Sequence, residues 1–326
     1  MKKIILNSVK VAISVGLLAY LIFLADLEKI LITLRVVKLQ YFALAVLAFV
    51  FCVVLLSRRW QILLNQVEIH PKFSTLINFY FIGFFFNNFL PTTIGGDVSR
   101  AYNVAKISGK KAYSIGTILL ERMMGLLATL TLASLSMFWV MKYFHTQRIV
   151  FITIALLGFI VFVLVNLLVP STFNFTSKVL RRITIFNIGE RVQNVLSTVH
   201  SYRENKKIIL FAYLISLCSQ ITLILMNFVL ARALDLQNVT VGFLFIVVPV
   251  TFILGLFPSV NGLGVRDSGY VFLLTKVGLS PAEALSLSFL NTLVPILMSL
   301  YGGLLLIFYR RKKKMEPFSE MKAEIE

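Results

Sequence analysis

The amino-acid sequence predicts an all-α fold, a polytopic bundle of transmembrane helices. Of its 326 residues, 58% are hydrophobic and only 14% are charged, and the mean hydropathy is +0.88, which is too apolar for an ordinary soluble domain. The apolar residues are gathered in runs long enough to cross a bilayer. Two of these runs are broken by proline and glycine. We therefore expect about six full spans and two interrupted, re-entrant segments, about eight apolar segments in all.

The excess of basic over acidic residues is explained by membrane topology rather than by nucleic-acid binding. A net charge of +18 would favour nucleic-acid binding in a soluble protein. Here the basic residues lie mostly in short connections between apolar runs, where they determine orientation. We therefore predict no nucleic-acid partner.

The first two apolar runs are predicted as plain spans. Residues 11–25 have the basic start of a signal peptide, but no small-residue cleavage site follows, so we expect a retained first span. Residues 39–57 form the second span, and Arg58 and Arg59 are predicted to end it.

The third apolar run, residues 73–96, is interrupted. Pro91, Gly95 and Gly96 stop a helix before it comfortably crosses the bilayer. Backbone left unpaired at that depth has to be buried in protein or line a wet cavity. We expect a short helix over residues 97–108, with Asp97 either as its cap or in a direct role beside Arg100.

Further spans alternate with polar connections. Residues 113–141 are a predicted span with Glu121 and Arg122 in its interior, where charges are costly and need partners. On a helix these neighbours point about 100° apart, so they cannot pair with each other. Residues 149–168 and 208–231 are further spans. Between them, residues 171–207 are predicted either as an interfacial amphipathic helix or as a linker helix packed on neighbouring loops.

The second interruption repeats the layout of the first. Residues 236–265 carry no charge, and their apolar run is followed by Pro258, Gly262 and then Arg266 and Asp267. Residues 284–309 form the last span, ahead of a basic tail. One interruption in each half of a chain is typical of transporter binding sites. We assign residues 1–314 to a single membrane domain and 315–326 to a short polar tail.

Six charged residues are predicted at or near membrane depth: Asp97, Arg100, Glu121, Arg122, Arg266 and Asp267. Arginines beside glycine-rich turns and helix N-termini are suited to binding a phosphate. Alternatively, the charges pair for structural reasons alone, Glu121 with Arg266 or Asp97 with Arg122. We predict no cofactor and no metal, because the three histidines lie far apart and no nucleotide-binding loop occurs.

The distribution of basic residues predicts the orientation. If the first interrupted segment enters and leaves on the cytoplasmic side, 22 Lys and Arg residues lie near cytoplasmic ends and seven near the opposite ends. Both termini are then cytoplasmic, and the two interrupted segments form an inverted pair. Treating residues 74–90 as a full span instead places the basic loop at 106–111 outside.

Three groups of residues together carry a family resemblance. They are Asn88-x-x-Pro91-x-x-x-Gly95-Gly96-Asp97-x-x-Arg100, the Glu121-Arg122 pair, and Pro258-x-x-x-Gly262-x-Gly264-x-Arg266-Asp267. This pattern resembles the flippase-like membrane proteins related to the transmembrane region of lysylphosphatidylglycerol synthase, over about residues 11–309. The family usually has Glu where this chain has Asp267, and often Gly where it has Thr92. We take the residues of the pattern as candidates for substrate binding.

The resemblance implies an integral protein of the cell (inner) membrane that binds or moves an anionic lipid. In full-length synthases of this kind an aminoacyl-transferase domain follows the membrane region. Here about 17 residues follow the last span, so we expect this chain not to make the aminoacyl lipid alone.

Three functions are compatible with these features. The first is a lipid transporter or flippase, not an enzyme, in which the interrupted segments meet near the midplane and Arg100, Arg122 and Arg266 receive a phosphate-bearing head group. The second is a membrane-embedded transferase acting on a polyprenyl-phosphate or phospholipid, with Asp97 or Glu121 as base. The third is a non-transporting membrane partner of cell-envelope enzymes.

Overall fold

The computed structural model describes residues 15–89, 95–136, 151, 154–155, 158, 161–162, 202, 205–255 and 262–312. This part of the chain is built of helices and short turns and contains no strand, which confirms the all-α prediction. Its helices are α1 Val15–Ala25, α2 Leu27–Arg35, α3 Leu39–Gln66, α4 Phe73–Phe89, α5 Gly95–Ser108, α6 Lys111–Leu135, α7 Lys206–Ala233, α8 Val241–Leu254, α9 Val265–Leu274 and α10 Pro281–Lys312, with a 3₁₀ turn at Thr275–Val277.

Four of the described helices, α3, α6, α7 and α10, are long and apolar enough to cross a membrane. α1 and α8 are apolar but shorter. The predicted span at residues 149–168 and the predicted helix within 171–207 lie largely outside the described residues. The count of eight apolar segments and the inverted pair therefore stay predictions.

Helix α3 is longer than the sequence predicted. Arg58 and Arg59 do not end it, because Trp60, Leu63 and Leu64 recur at helical spacing and are fully buried in the core. The helix therefore continues to Gln66. This continuation places Arg59 in the interior of the bundle and leaves Arg58 at the surface.

Local sequence explains several helix starts. α8 begins after Thr240, whose Oγ1 accepts a hydrogen bond from the Phe243 N–H at 3.3 Å. α10 begins after Ser280, which forms a capping box with Glu283: the Ser280 N–H donates to Oε2 at 2.7 Å and the Glu283 N–H donates to the serine hydroxyl. α5 begins at Gly95, two residues earlier than predicted, so Asp97 lies in its first turn.

Helices α7 and α4 each pack against several other helices of the described bundle. α7 packs along α3 and also contacts α6, α8 and α10, while α4 packs against α5 and α10. At the rim, Lys38 before α3 forms an ion pair of 2.9 Å with Asp235 after α7. The hydrogen bond from Lys38 lowers the pKa of Asp235 below its ordinary value. This arrangement brings residues from both halves of the chain next to α7.

Candidate functional site

Five charged side chains meet inside the bundle, and we call them the first charged cluster: Arg59, Asp97, Arg100, Glu121 and Arg122. The first turn of α5 places Asp97 and Arg100 on one side of that helix, because they are three residues apart. α6 contributes Glu121 and Arg122, and α3 contributes Arg59. The cluster therefore depends on the packing of α3 against two consecutive helices, α5 and α6.

Glu121 is the centre of the first charged cluster. Its side chain is buried, and its Oε1 accepts hydrogen bonds from Arg59 Nη2 at 3.0 Å, from Arg59 Nε at 3.3 Å and from the Tyr80 hydroxyl. Its Oε2 accepts from Arg100 Nη1 at 2.8 Å. One buried carboxylate thus joins α3, α4, α5 and α6. A buried charge with this many partners has its desolvation offset by several charge-assisted hydrogen bonds.

Asp97 lies between two arginines. Its Oδ1 accepts from Arg100 Nη2 at 2.6 Å, and its Oδ2 is paired with Arg122 Nε. The predicted Asp97–Arg122 pair is therefore present, while Glu121 pairs with Arg59 and Arg100. Both oxygens of Asp97 are engaged by guanidinium groups, which favours a role beyond capping its helix.

The first charged cluster becomes more exposed toward Arg122. The side chain of Arg100 is 8% exposed, that of Asp97 is 16% exposed and that of Arg122 is 37% exposed. Among the described residues of this cluster, three guanidinium groups and two carboxylates leave one formal positive charge. The Asp97–Arg122 side is the more exposed part of the cluster.

Aromatic rings surround Arg100. Its guanidinium carbon lies 4.1 Å from the ring centroid of Tyr80 and 4.8 Å from that of Trp60. Trp60 is itself held by a hydrogen bond from its Nε1 to Thr117 Oγ1 at 3.4 Å. Cation–π contacts are strong where water is excluded. The rings therefore stabilise the guanidinium cation in a place where little water reaches it.

Close packing of α4 on α5 sets the geometry at Gly96. A Cβ at this position would lie 2.8 Å from the carbonyl carbon of Gly83 and nearer still to its oxygen. The Gly96 N–H donates to Asn87 Oδ1 at 2.6 Å. Because glycine-rich turns expose backbone N–H groups, the Gly96 N–H was expected to be available to a phosphate. It is instead bonded to Asn87, and the absence of a side chain at Gly96 lets α4 and α5 pack closely.

The second interrupted segment forms a separate group, the second polar cluster: Gly264, Arg266, Asp267, Ser288 and Thr292. The Gly264 N–H donates to Asp267 Oδ2 at 2.8 Å, which is one half of a capping box at the start of α9. Ser288 Oγ donates to Asp267 Oδ1 at 2.5 Å. Arg266 Nη2 contacts Thr292 Oγ1 and lies 3.6 Å from Asp267 Oδ1.

The candidates from the sequence thus fall into two groups. Asp97, Arg100, Glu121 and Arg122 are brought together, whereas Arg266 and Asp267 bind mainly neutral partners from α10. The other described candidates have structural positions: Gly95 is buried at the start of α5, Gly262 has φ of 79°, and Asn88 Nδ2 donates to Ser299 Oγ at 2.6 Å. Pro91 and Pro258 lie outside the described residues.

Arg59, Tyr80 and Trp60 are site residues that the sequence analysis missed. Arg59 was predicted to end the second span, because two consecutive arginines usually mark the end of an apolar span. The signal that would have found it is the apolar spacing of Trp60, Leu63 and Leu64, which extends the helix beyond the arginines. Tyr80 lies within a phenylalanine-rich run, where nothing in the sequence distinguishes its hydroxyl.

The part of the chain described by the structure holds no group of three metal-ligating side chains. The carboxylates of the first charged cluster have arginines as partners instead.

The family model described as the lysylphosphatidylglycerol synthase TM region matches residues 7–303. A UPF0104 membrane protein from Pyrococcus horikoshii is 25% identical over 175 residues, which are 53% of this chain and 50% of that protein. A UPF0104 membrane protein from Methanothermobacter thermautotrophicus is 30% identical over 108 residues, 33% of this chain and 30% of that protein. The matched stretch thus spans half or less of either relative. No solved structure matches the chain.

Proposed function

The chain belongs to the family of the lysylphosphatidylglycerol synthase transmembrane region, and we propose that it binds an anionic, phosphate-bearing lipid and translocates it. As a member of this family it is a multi-pass integral membrane protein. The observation that carries the proposal is the first charged cluster, which has an excess positive charge and a partly exposed arginine, Arg122. Charges at this depth are rare unless they serve a substrate or ion path.

In the proposed binding step, the phosphate replaces the Asp97 carboxylate as partner of the arginines. Guanidinium groups bind carboxylate and phosphate in similar bidentate geometries, so the exchange conserves hydrogen bonds. The phosphate contacts Arg122 first, because Arg122 is the more exposed partner of Asp97, and then Arg100. Glu121 stays in place, since its oxygens are bound by Arg59, Tyr80 and Arg100.

The second polar cluster is proposed as the other end of the translocation route. Arg266 already binds the neutral hydroxyl of Thr292, and its distance of 3.6 Å from Asp267 leaves a loose ion pair that a phosphate can replace. We place both termini on the cytoplasmic side of the cell (inner) membrane because of the distribution of basic residues. Cysteines introduced at Lys3 and Lys314 that both react with an impermeant reagent in intact cells would contradict this orientation.

The geometry supports a carrier better than a membrane-embedded transferase. A transferase needs a carboxylate that can take a proton from its substrate. Asp97 and Glu121 are the candidates, and every oxygen of both is already held by a guanidinium group. They are placed as counter-ions of arginines.

Lipid binding and translocation can be measured separately on the purified protein. Native mass spectrometry reports which lipids stay bound, and liposomes with a head-group-labelled anionic lipid report translocation. We expect Arg122→Gln to lower retention of anionic lipid about tenfold or more, because one charge-assisted contact to phosphate is lost. Arg58→Gln is the matched control, since Arg58 is exposed and donates to Gln61.

Two outcomes would contradict the proposal. Equal retention of anionic and zwitterionic lipids by the unmodified protein would exclude an anion site. A recovered lipid of changed mass, absent for Asp97→Asn or Glu121→Gln, would establish the transferase instead.

A further inference from the structure

Helix α7 carries a polar stripe on its buried face, formed by Ser216, Ser219, Gln220 and Asn227. Relative to Ser216, the others lie three, four and eleven residues further along, so all four project from one side of the helix. Apart from Thr222 and the basic residues near its two ends, the rest of this 28-residue span is largely apolar. Polar side chains on the interior face of a span are costly and are usually functional.

Ser216, at one end of the stripe, is bonded to the first charged cluster, and Asn227, at the other end, is bonded to the two helices that carry the second polar cluster. Ser216 Oγ accepts from Arg59 Nη1 at 2.7 Å, which joins it to the first charged cluster. Asn227 Oδ1 accepts from the Tyr270 hydroxyl at 2.7 Å. Asn227 Nδ2 donates to Asn291 Oδ1 at 3.3 Å. Tyr270 and Asn291 belong to α9 and α10, the helices of the second polar cluster.

The middle of the stripe is the side chain of Gln220. It is only 9% exposed, and its amide makes no hydrogen bond to any of the described residues. Ser216 and Ser219, by contrast, donate to the backbone carbonyls of Ala212 and Ser216. A buried amide normally has a partner, which is protein, water or ligand. Gln220 therefore has its donors and acceptor available between the two clusters.

We infer that the polar stripe of α7 is a hydrated track along which the lipid head group passes from the first charged cluster to the second polar cluster. This inference rests on the proposed function and names the residues of its route. The stripe covers about 16 Å at 1.5 Å per residue. Its members are neutral hydroxyls and amides, so they can exchange hydrogen bonds with a moving phosphate or hydroxyl without trapping it as an ion pair. Gln220 is the intermediate contact.

The variant Gln220→Leu tests the track because it has a similar size but no hydrogen-bonding groups. We expect the rate of translocation of head-group-labelled phosphatidylglycerol in liposomes to fall about tenfold, because the polar head group would have to pass an apolar side chain. Binding at the first charged cluster should be unchanged. Thermal stability should be equal or higher, because no protein hydrogen bond is lost. A merely structural Gln220 predicts unchanged translocation, and that result would overturn the inference.

Thr222→Val is the matched control on the same helix. Thr222 is exposed, and its hydroxyl bonds only the Cys218 carbonyl within α7. The change also removes a polar group from α7 but from its outer face. We expect translocation at the unmodified rate. A loss equal to that of Gln220→Leu would show a general effect of apolar substitution on this helix and would overturn the inference.

Hydration of the track can be tested without any transport. Gln220→Cys is placed in a background with Cys52→Ala and Cys218→Ala, which removes both native thiols. We expect a charged methanethiosulfonate reagent to label it in phosphatidylcholine nanodiscs, and phosphatidylglycerol to slow the labelling. Thr222→Cys in the same background should stay unlabelled in the lipid.

The outcomes separate the inference from the proposed function. An unreactive thiol at position 220, or labelling at the same rate in both lipids, overturns the track even if the protein retains anionic lipid. Failure of the unmodified protein to retain anionic lipid overturns the proposed function, and with it the head group as the occupant of the track.

Discussion

The two interrupted segments share a sequence layout but differ in what their acidic residues do. In the first, Asp97 binds two arginines, Arg100 and Arg122. In the second, Asp267 binds the N–H of Gly264 and the hydroxyl of Ser288. One acid is a counter-ion in a network of charges, and the other stabilises the start of its own helix. An acid that follows a proline and a glycine and lies close to an arginine therefore does not have the same role in both segments.

The difference comes from the neighbouring helices. Around the first segment, α3 and α6 supply Arg59 and Glu121, so each charge meets an opposite charge. Around the second, α10 supplies the hydroxyls of Ser288 and Thr292. Replacing an acid by its amide should therefore have a large effect in the first cluster and a small one in the second.

The largest effect is expected for Glu121→Gln. It leaves Arg59 and Arg100 buried with one carboxylate fewer, and breaking a buried ion pair from one side costs about 3–5 kcal/mol. Thermal unfolding of the purified protein measures the loss. The double variant Arg59→Gln with Glu121→Gln should recover part of it, since the unpaired charge of Arg59 is removed as well.

Glu283→Gln is the control for this prediction. Glu283 is an exposed acid in the capping box of α10, and a glutamine keeps the box, so the change should cost less than about 1 kcal/mol. If Glu121→Gln were no less stable than this control, the network around Glu121 would not hold the four helices together.

Gly96→Ala should have the next largest effect. The added methyl would be forced against the Gly83 backbone, so α4 and α5 must separate, at a cost of about 1–3 kcal/mol. The temperature of thermal unfolding and the amount of anionic lipid retained should both fall, because Asp97 and Arg100 move with α5. Normal stability of Gly96→Ala would contradict the close packing.

Gly264→Ala, at φ of 80°, is the counterpart in the second segment. It should cost about 1–2 kcal/mol through backbone strain.

Asp267→Asn is expected to cost about 1–2 kcal/mol. The amide has one oxygen, so either the Gly264 N–H or the Ser288 hydroxyl loses its acceptor. The ion pair between Arg266 and Asp267 is weakened as well, but at 3.6 Å it is longer than the ion pairs of Glu121, so we expect the smaller loss. The same thermal assay measures this loss. A loss as large as that of Glu121→Gln would remove the contrast between the two segments.

The smallest effect is expected for Asp267→Glu. Glutamate at this position of a helix can also accept the hydrogen bond from the Gly264 N–H, so we expect a loss below about 1 kcal/mol in thermal unfolding. Lipid translocation should be retained. A larger loss than that of Asp267→Asn would mean that the space between α9 and Ser288 admits only the shorter side chain.

The fold class and the sites of interruption were predictable from the sequence. Apolar runs of bilayer length can be satisfied only by helices, because lipid offers no hydrogen bonds to the backbone. The residues around Asp97, Glu121 and Arg266 could be chosen as candidates because charges inside such runs are conspicuous. The family resemblance drawn from these residues was confirmed by the match over residues 7–303.

The partners of those charges could not be predicted, since they depend on which helices pack together. Arg59 was predicted to end a span, but it lies inside α3 and forms an ion pair with Glu121, 62 residues away. The N–H of Gly96, expected to be open, is bound by Asn87. Asp267 was grouped with the charged site, but its closest partners are a backbone N–H and a serine.

By itself the sequence determined a helical membrane protein with two broken segments and a small set of deep charges, because hydrophobicity and backbone chemistry act locally along the chain. Only the tertiary structure decided that Glu121 joins four helices, that Asp97 stands between two arginines, and that α7 turns a polar face toward both clusters. Those contacts link residues far apart in sequence, and their energies depend on distance and burial, which appear only when the helices are packed.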